Sequence, residues 1–249
     1  MYKDTLSVVK TNPVIVALDV PSASQAIHLA RSLAPFVGAV KIGKELFVSA
    51  GPAVVRDIQS DGIPIFLDLK FHDIPNTVAK AVAAATRLGV RMLTVHASGG
   101  SEMMRAAVRA ARDTASELMA PVPRVLAVTV LTSMDSAALA ELGGETDVAS
   151  QVERLASLAV RAGITGLVCS PLELPRLRKL LPPTIELVTP GIRTGSEKVD
   201  DQKRTLTPRE ALEAGATWLV IGRPIYAAAD PAAAARSIWN SLQSESPIS

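Results

Sequence analysis

Apolar runs and polar breaks alternate along this chain, and their spacing predicts its elements before composition is considered. Val14-Ile15-Val16-Ala17-Leu18-Asp19-Val20 reads as a buried-strand pattern ending in Asp19. Ser22 and Gln25 then form a capping box for a helix through Ala34. Ala39-Val40-Lys41-Ile42 is a second short strand with Lys41 near its end, and Pro52 to Ser60 a helix closed by Asp61-Gly62. The third strand runs from Ile63 to Leu69. Its helix carries Val78, Ala81, Val82, Ala85 and Leu88 at helical spacing and stops at Gly89. Arg91 to Val95 predicts strand four, and Ser101 to Leu118 a long helix. Pro121 and Pro123 punctuate the turn into strand five, Val125 to Leu131. Gly143-Gly144 marks a loop before a helix from Val148 to Ala162. Gly166 to Cys169 is strand six, Leu172 to Leu181 its helix, and Ile185 to Thr189 strand seven. Thr207-Pro208 opens a helix that Gly215 ends, Thr217 to Ile221 is strand eight, and Pro231 to Leu242 the last helix.

Strands alternating with helices in this number favour an α/β fold of the (β/α)8 TIM-barrel class, as a single domain over residues 1–249. Residues 1–13 form an N-terminal lead-in and 244–249 a polar tail. A doubly wound open sheet is the rival, but it would use fewer strands and a Gly-rich first turn, and no G-x-G-x-x-G or Walker pattern occurs. Composition agrees with the barrel. Hydrophobic residues make up 48% and aromatics 3%, so the core is built from Ala, Val, Leu and Ile. The formal net charge is +2, with no basic block, which suggests neither a nucleic-acid nor a membrane-surface role. The single cysteine, Cys169, cannot form an intrachain disulfide, and there is no apolar stretch of signal-peptide or membrane-spanning length. The expected location is the cytoplasm.

The chemistry concentrates in Ile65-Phe66-Leu67-Asp68-Leu69-Lys70-Phe71-His72-Asp73-Ile74-Pro75-Asn76-Thr77-Val78, where an apolar run turns charged within three residues. Asp68 and Lys70 lie two apart, so on a strand they share a face. The working face of such a barrel is where strands end and the following loops begin. Asp19, Lys41, Asp68 and Lys70 all lie near predicted strand ends there, and Asp73 follows in the third loop. Singly, each charge reads as a solvated group or half of a structural ion pair. Together, two ammonium groups and three carboxylates at one rim read as a catalytic constellation.

A second feature is an anion site. Arg193 follows strand seven in Pro190-Gly191-Ile192-Arg193, and Gly222-Arg223-Pro224 follows strand eight, the loops that most often hold phosphate in barrels. The alternative is that the glycines make turns and the arginines are surface charges. Thr194 to Leu206 is a long polar loop that reads as a lid, from which Gln202 could reach a ligand. His28, His72 and His96 make no metal set by spacing, and Cys169 reads as a small core residue. Leu131-Thr132-Ser133, at the predicted end of strand five, offers a hydroxyl or backbone group to a polar ligand.

The motifs Ala17-Leu18-Asp19-Val20, Val40-Lys41-Ile42-Gly43, Asp68 to Thr77, Val95-His96-Ala97, Leu131-Thr132-Ser133, Pro190-Gly191-Ile192-Arg193 and Ile221-Gly222-Arg223 together resemble the orotidine 5′-phosphate decarboxylase family of the bacterial type, nearly end to end. The resemblance implies decarboxylation of orotidine 5′-monophosphate to uridine 5′-monophosphate and carbon dioxide, the last step of de novo UMP synthesis, with no cofactor and no metal. It also implies a homodimer in which Asp73 and Thr77 reach into the partner's site. On that basis Lys41, Asp68, Lys70 and the partner's copy of Asp73 form an alternating charged array, and Lys70 donates the proton to C6. Asp19 and Lys41 would contact the ribose, and Thr132 and Ser133 the pyrimidine edge, with side-chain and backbone roles left open. Arg193, Gln202, Gly222 and Arg223 would bind phosphate. The Asp-x-Lys-x-x-Asp core is shared with magnesium-dependent sugar-phosphate decarboxylases and aldolases of the same fold. Such an enzyme, or a non-catalytic nucleotide-phosphate binding protein, is the alternative.

Overall fold

Val14, Ile15, Val16 and Ala17 are all buried, which a strand achieves only when both of its faces are covered. The computed structural model, which describes residues 12–143, 146–193 and 205–243, shows how. Eight parallel strands among these residues follow one another in chain order around a closed barrel. They are β1 Val14–Ala17, β2 Ala39–Gly43, β3 Ile65–Phe71, β4 Met92–His96, β5 Arg124–Val128, β6 Gly166–Val168, β7 Glu186–Thr189 and β8 Trp218–Ile221. β8 pairs with β1, Val14 standing opposite Leu219, and this closes the ring.

Helices cover the outside: α1 Ala23–Leu33, α2 Lys44–Ala50, α3 Ala53–Ser60, α4 Pro75–Arg87, α5 Gly100–Glu117, α6 Ser136–Glu141, α7 Val148–Arg161, α8 Leu174–Leu180, α9 Pro208–Glu213, α10 Arg223–Tyr226 and α11 Pro231–Gln243. Their starts are chemically marked. The Ser22 hydroxyl accepts from the Gln25 N–H, Asp147 caps α7, and Thr207 with Glu210 forms a reciprocal box at α9. No helix among the described residues is long and apolar enough to cross a membrane.

The alternation of each strand divides the core in two. Val14, Val16, Val40, Ile42, Ile65 and Leu67 pack outward against the helices. Ile15, Ala17, Ala39, Phe66, Met92, Leu126, Val188, Trp218 and Val220 fill the barrel interior. The floor is closed by Trp218, whose indole N–H donates to Glu186 Oε2 at 3.2 Å, while Arg124 Nε lies 2.8 Å from Glu186 Oε1. Extending the inward rows by two residues at a time leads past these apolar layers to Asp19, Lys41, Asp68, Thr94 and Gly222. The barrel therefore lifts polar residues onto its open end.

Several boundaries differ from the sequence reading. β1 stops at Ala17 rather than Asp19, and β5 at Val128 rather than Leu131. Thr132 and Ser133 consequently lie in a turn beyond the strand, closed by the Met134 N–H donating to Leu131 O at 2.9 Å. β3 runs on to Phe71, past the expected end at Leu69. The helices α2, α6 and α10 were not foreseen: at seven, six and four residues they are too short for an apolar period to show. Of the predicted lid, Thr194 to Leu206, residues 194–204 with Gln202 lie outside the described residues, as do the lead-in up to residue 11 and the tail 244–249.

Candidate active site

At the C-terminal end of the barrel a cavity of about 290 Å³ opens among the strand ends. Asp19, Lys41, Asp68 and Lys70 line it, as do Arg193, Gly222 and Arg223. Thr132, Cys169 and Tyr226 also face it. Adjacent strands place the charges in sequence. Lys41 stands across from Ala17 on β1 and Phe66 on β3, and Gly43 across from Asp68.

The side chains form a chain of alternating charge. Lys41 Nζ lies 3.2 Å from Asp19 Oδ1 and 3.9 Å from Asp68 Oδ2, and Lys70 Nζ lies 2.7 Å from that same Asp68 oxygen. Asp68 and Lys41 are each only 12% exposed, so their mutual attraction is weakly screened. Burial by itself would raise the Asp68 carboxyl. The charges of Lys70 and Lys41, with hydrogen bonds from Lys70 and Thr94, outweigh burial and hold it below the usual carboxylate range. Asp68 is therefore an anion gripped from two sides.

Backbone geometry contributes beside charge. Leu67 of β3 stands opposite Leu93 of β4, but Phe71 opposite Val95, so β3 bulges between them. Lys70 sits in that bulge at φ 53°, a left-handed conformation that residues other than glycine rarely adopt. The bulge takes the Lys70 N–H out of the ladder with β4, and it donates instead to Thr94 Oγ1 at 2.9 Å. Thr94 in turn donates to Asp68 Oδ1 at 3.0 Å. Glycine at position 43 leaves room for the other lysine: a Cβ there would lie 3.1 Å from Lys41 Nζ.

The loops after β7 and β8 meet at the cavity. Ile192 bridges to Leu206, with the Arg193 N–H donating to Leu206 O at 3.0 Å, which pins together the two ends of the polar segment between them. Gly222 precedes the short helix α10, whose first residue is Arg223 and whose last, Tyr226, packs back towards Gly222. Burial, then the charge of Asp19, raises the Tyr226 phenol.

Not every predicted residue arrives at the cavity. Thr132 does; Ser133 does not, being exposed in the turn that ends β5 early. Asp73 and Thr77 lie outside it, both exposed, on the loop after β3 and the first turn of α4. Asp73 Oδ1 accepts from the Ile74 N–H at 2.6 Å. Cys169 is 1% exposed, as a core residue would be, yet it also lines the cavity. Among the described residues, no group of three or more His, Cys, Asp and Glu side chains is arranged to hold a metal ion. Thr94 and Tyr226 were missed. Thr94 was legible in the alternation Met92, Thr94, His96, whereas no sequence signal marked Tyr226.

Residues 12–238 match the family described as orotidine 5′-phosphate decarboxylase / HUMPS. The chain is 53% identical over 227 residues to the orotidine 5′-phosphate decarboxylase of Paramagnetospirillum magneticum, covering 91% of this chain and 97% of that protein. It is 52% identical over 226 residues to that of Moorella thermoacetica, covering 90% of each. The crystal structure of orotidine 5′-phosphate decarboxylase from Lactobacillus acidophilus is similar with a TM-score of 0.82 at 39% identity, over 94% of this chain and 100% of that one. Sequence and fold thus agree that the chain belongs to the orotidine 5′-phosphate decarboxylase / HUMPS family and is an enzyme of the carboxy-lyase class.

Proposed function

We propose that this chain converts orotidine 5′-monophosphate to uridine 5′-monophosphate and carbon dioxide, the closing step of de novo UMP synthesis, without a cofactor. The observation that carries this reading is the half-buried run Lys41–Asp68–Lys70 in a cavity that Arg193 and Arg223 also line. A nucleoside monophosphate offers a phosphate to the arginines and a reacting ring to the charged array.

Loss of carbon dioxide from C6 leaves an electron pair in an sp² orbital that the ring π-system cannot receive. A fixed cation must stabilise that charge as it develops. Lys70, held by Asp68 at 2.7 Å, is the cation in this reading, and it then donates its proton to C6. Asp68 would stand beside the departing carboxylate. Asp19 and Lys41 would hold the ribose hydroxyls, and Thr132, which lines the cavity where Ser133 does not, would meet the pyrimidine edge. Phosphate would be bound by Arg193, Gly222 and Arg223, with Gln202 contributing from its segment. Binding energy from that remote phosphate can be spent on ordering the site around C6.

The reading includes a homodimer. Asp73 and Thr77 are exposed and away from their own cavity, and Ile74 between them is 66% exposed, an apolar residue that an interface would cover. In the dimer Asp73 and Thr77 complete the partner's site. The cytoplasm is the compartment this reading assigns to the enzyme.

The test is decarboxylation of orotidine 5′-monophosphate by the purified protein, with a metal chelator present, followed by loss of pyrimidine absorbance. Conversion to uridine 5′-monophosphate is the expected result. Folded protein that leaves the substrate intact with chelator, but gains activity towards a sugar phosphate on adding magnesium, would overturn it.

A further inference from the structure

We propose that Thr94 is a positioning residue for the decarboxylation site, its hydroxyl holding the Asp68 carboxylate and the Lys70 backbone in one fixed relation. The inference rests on the functional reading above and concerns a residue that touches the charged array from behind.

Thr94 is fully buried on β4, on the row that faces the barrel interior. Its two hydrogen bonds can run in one direction only. The Lys70 N–H is a donor, so Thr94 Oγ1 accepts at 2.9 Å; the ionised Asp68 carboxylate is an acceptor, so the hydroxyl proton goes to Oδ1 at 3.0 Å. One side chain therefore ties the Lys70 backbone to the carboxylate that contacts the Lys70 ammonium group.

Each tie meets a specific need. Lys70 occupies a left-handed backbone conformation inside the β3 bulge, where its N–H has left the β4 ladder and requires another acceptor. Asp68 presents Oδ2 to Lys70 Nζ at 2.7 Å and to Lys41 Nζ at 3.9 Å; the Thr94 bond at Oδ1 stops the carboxylate rotating about its own axis. Without the hydroxyl, both a buried N–H and a carboxylate oxygen lose their partners, and the bulge is free to relax. The lysine ammonium would then be held at the end of a less well-defined stem. A displacement of this kind acts on turnover more than on nucleotide binding, because the arginines assigned to phosphate, Arg193 and Arg223, make no hydrogen bond with Thr94.

The experiment compares Thr94→Val, which keeps shape and removes the hydroxyl, with Thr94→Ser, which restores it. Turnover of orotidine 5′-monophosphate is measured at saturation, and binding of uridine 5′-monophosphate by calorimetry. The expected result for Thr94→Val is a fall in kcat on the order of 10- to 100-fold, from the loss of a hydrogen bond to a charged group, with product affinity within about threefold of the parent. Thr94→Ser is expected to recover most of the lost kcat. Unchanged kcat in Thr94→Val overturns the proposal. So does a parallel fall in kcat and product affinity that serine fails to rescue, which marks a general packing role. Should Thr94→Val fail to fold, Thr94→Cys, with a weakly donating thiol, is read by the same criteria. A parent enzyme inactive on orotidine 5′-monophosphate would overturn the functional reading itself; an active parent with an indifferent Thr94→Val overturns only the role of Thr94.

Discussion

Lys70 Nζ lies 2.7 Å from Asp68 Oδ2, although the two residues stand on the same strand, two positions apart. On a regular strand their Cα atoms would be about 7 Å apart with side chains projecting in parallel. The length of the lysine stem and the left-handed turn at its Cα close that gap. The pair is thus a product of local backbone distortion, braced from β4 by Thr94.

Replacing Lys70 by alanine removes the cation that the reaction would develop charge against. We expect kcat to fall by at least on the order of 100-fold, while binding of uridine 5′-monophosphate is retained. Near-normal turnover measured under saturating substrate would reject the role of Lys70 as cation and proton donor.

Gly43→Ala tests how tightly the other lysine is placed. The backbone at Gly43 has φ −91°, which alanine adopts without strain, so the effect is steric. The added methyl would sit 3.1 Å from Lys41 Nζ and push it from its 3.2 Å contact with Asp19. A loss of roughly tenfold in kcat/KM is expected with an unchanged melting temperature. Unchanged steady-state kinetics would show that the Lys41–Asp19 contact is not needed.

Arg223→Ala is expected to raise KM for orotidine 5′-monophosphate roughly 10- to 100-fold, the worth of a charge-assisted contact to phosphate. The control is orotidine, which lacks the phosphate. If the variant is impaired equally on both substrates, Arg223 does not read the phosphate.

His96 makes stability depend on pH. Burial first, then the charges of His72, Lys70 and Lys44, push its imidazole down to about 4, with Asp68 opposing. In the unfolded chain the same group titrates near its ordinary value of 6.5. Between those values the unfolded chain takes up a proton that the folded chain refuses, so the contribution of His96 to stability is full above about pH 6.5 and is lost as pH drops towards 4. His96→Gln should therefore lose less melting temperature than the parent between about pH 7 and pH 5. Equal losses in calorimetric scans would remove His96 from the account.

The proposed sharing of sites between subunits is tested by mixing. Lys70→Ala and Asp73→Asn variants, each impaired alone, are expected to regain activity when unfolded together and refolded, because a hybrid dimer would hold one intact site. No recovery, with hybrids demonstrated by native mass spectrometry, would place Asp73 in its own chain's chemistry or in none.

Residues 1–11, 144–145, 194–204 and 244–249 aside, the architecture was legible because a parallel barrel imprints itself on every strand. Both faces of each strand are covered, so the strands read as short apolar runs, and the helices between them carry a different period. Asp19, Lys41, Asp68 and Lys70 were conspicuous for the same reason: charge in an apolar strand is costly unless it is paired or used. Local sequence was thus enough for the order of elements, the single-barrel class and the charged rim. Contacts between strands were a different matter. That Thr94 would reach Asp68, that Lys70 would turn left-handed, that Tyr226 would enter the cavity and Ser133 stay out, depended on register between neighbouring strands and on where each loop turned. Register is a property of two strands paired in space, and a bulge that shifts it leaves no periodic trace in either strand alone.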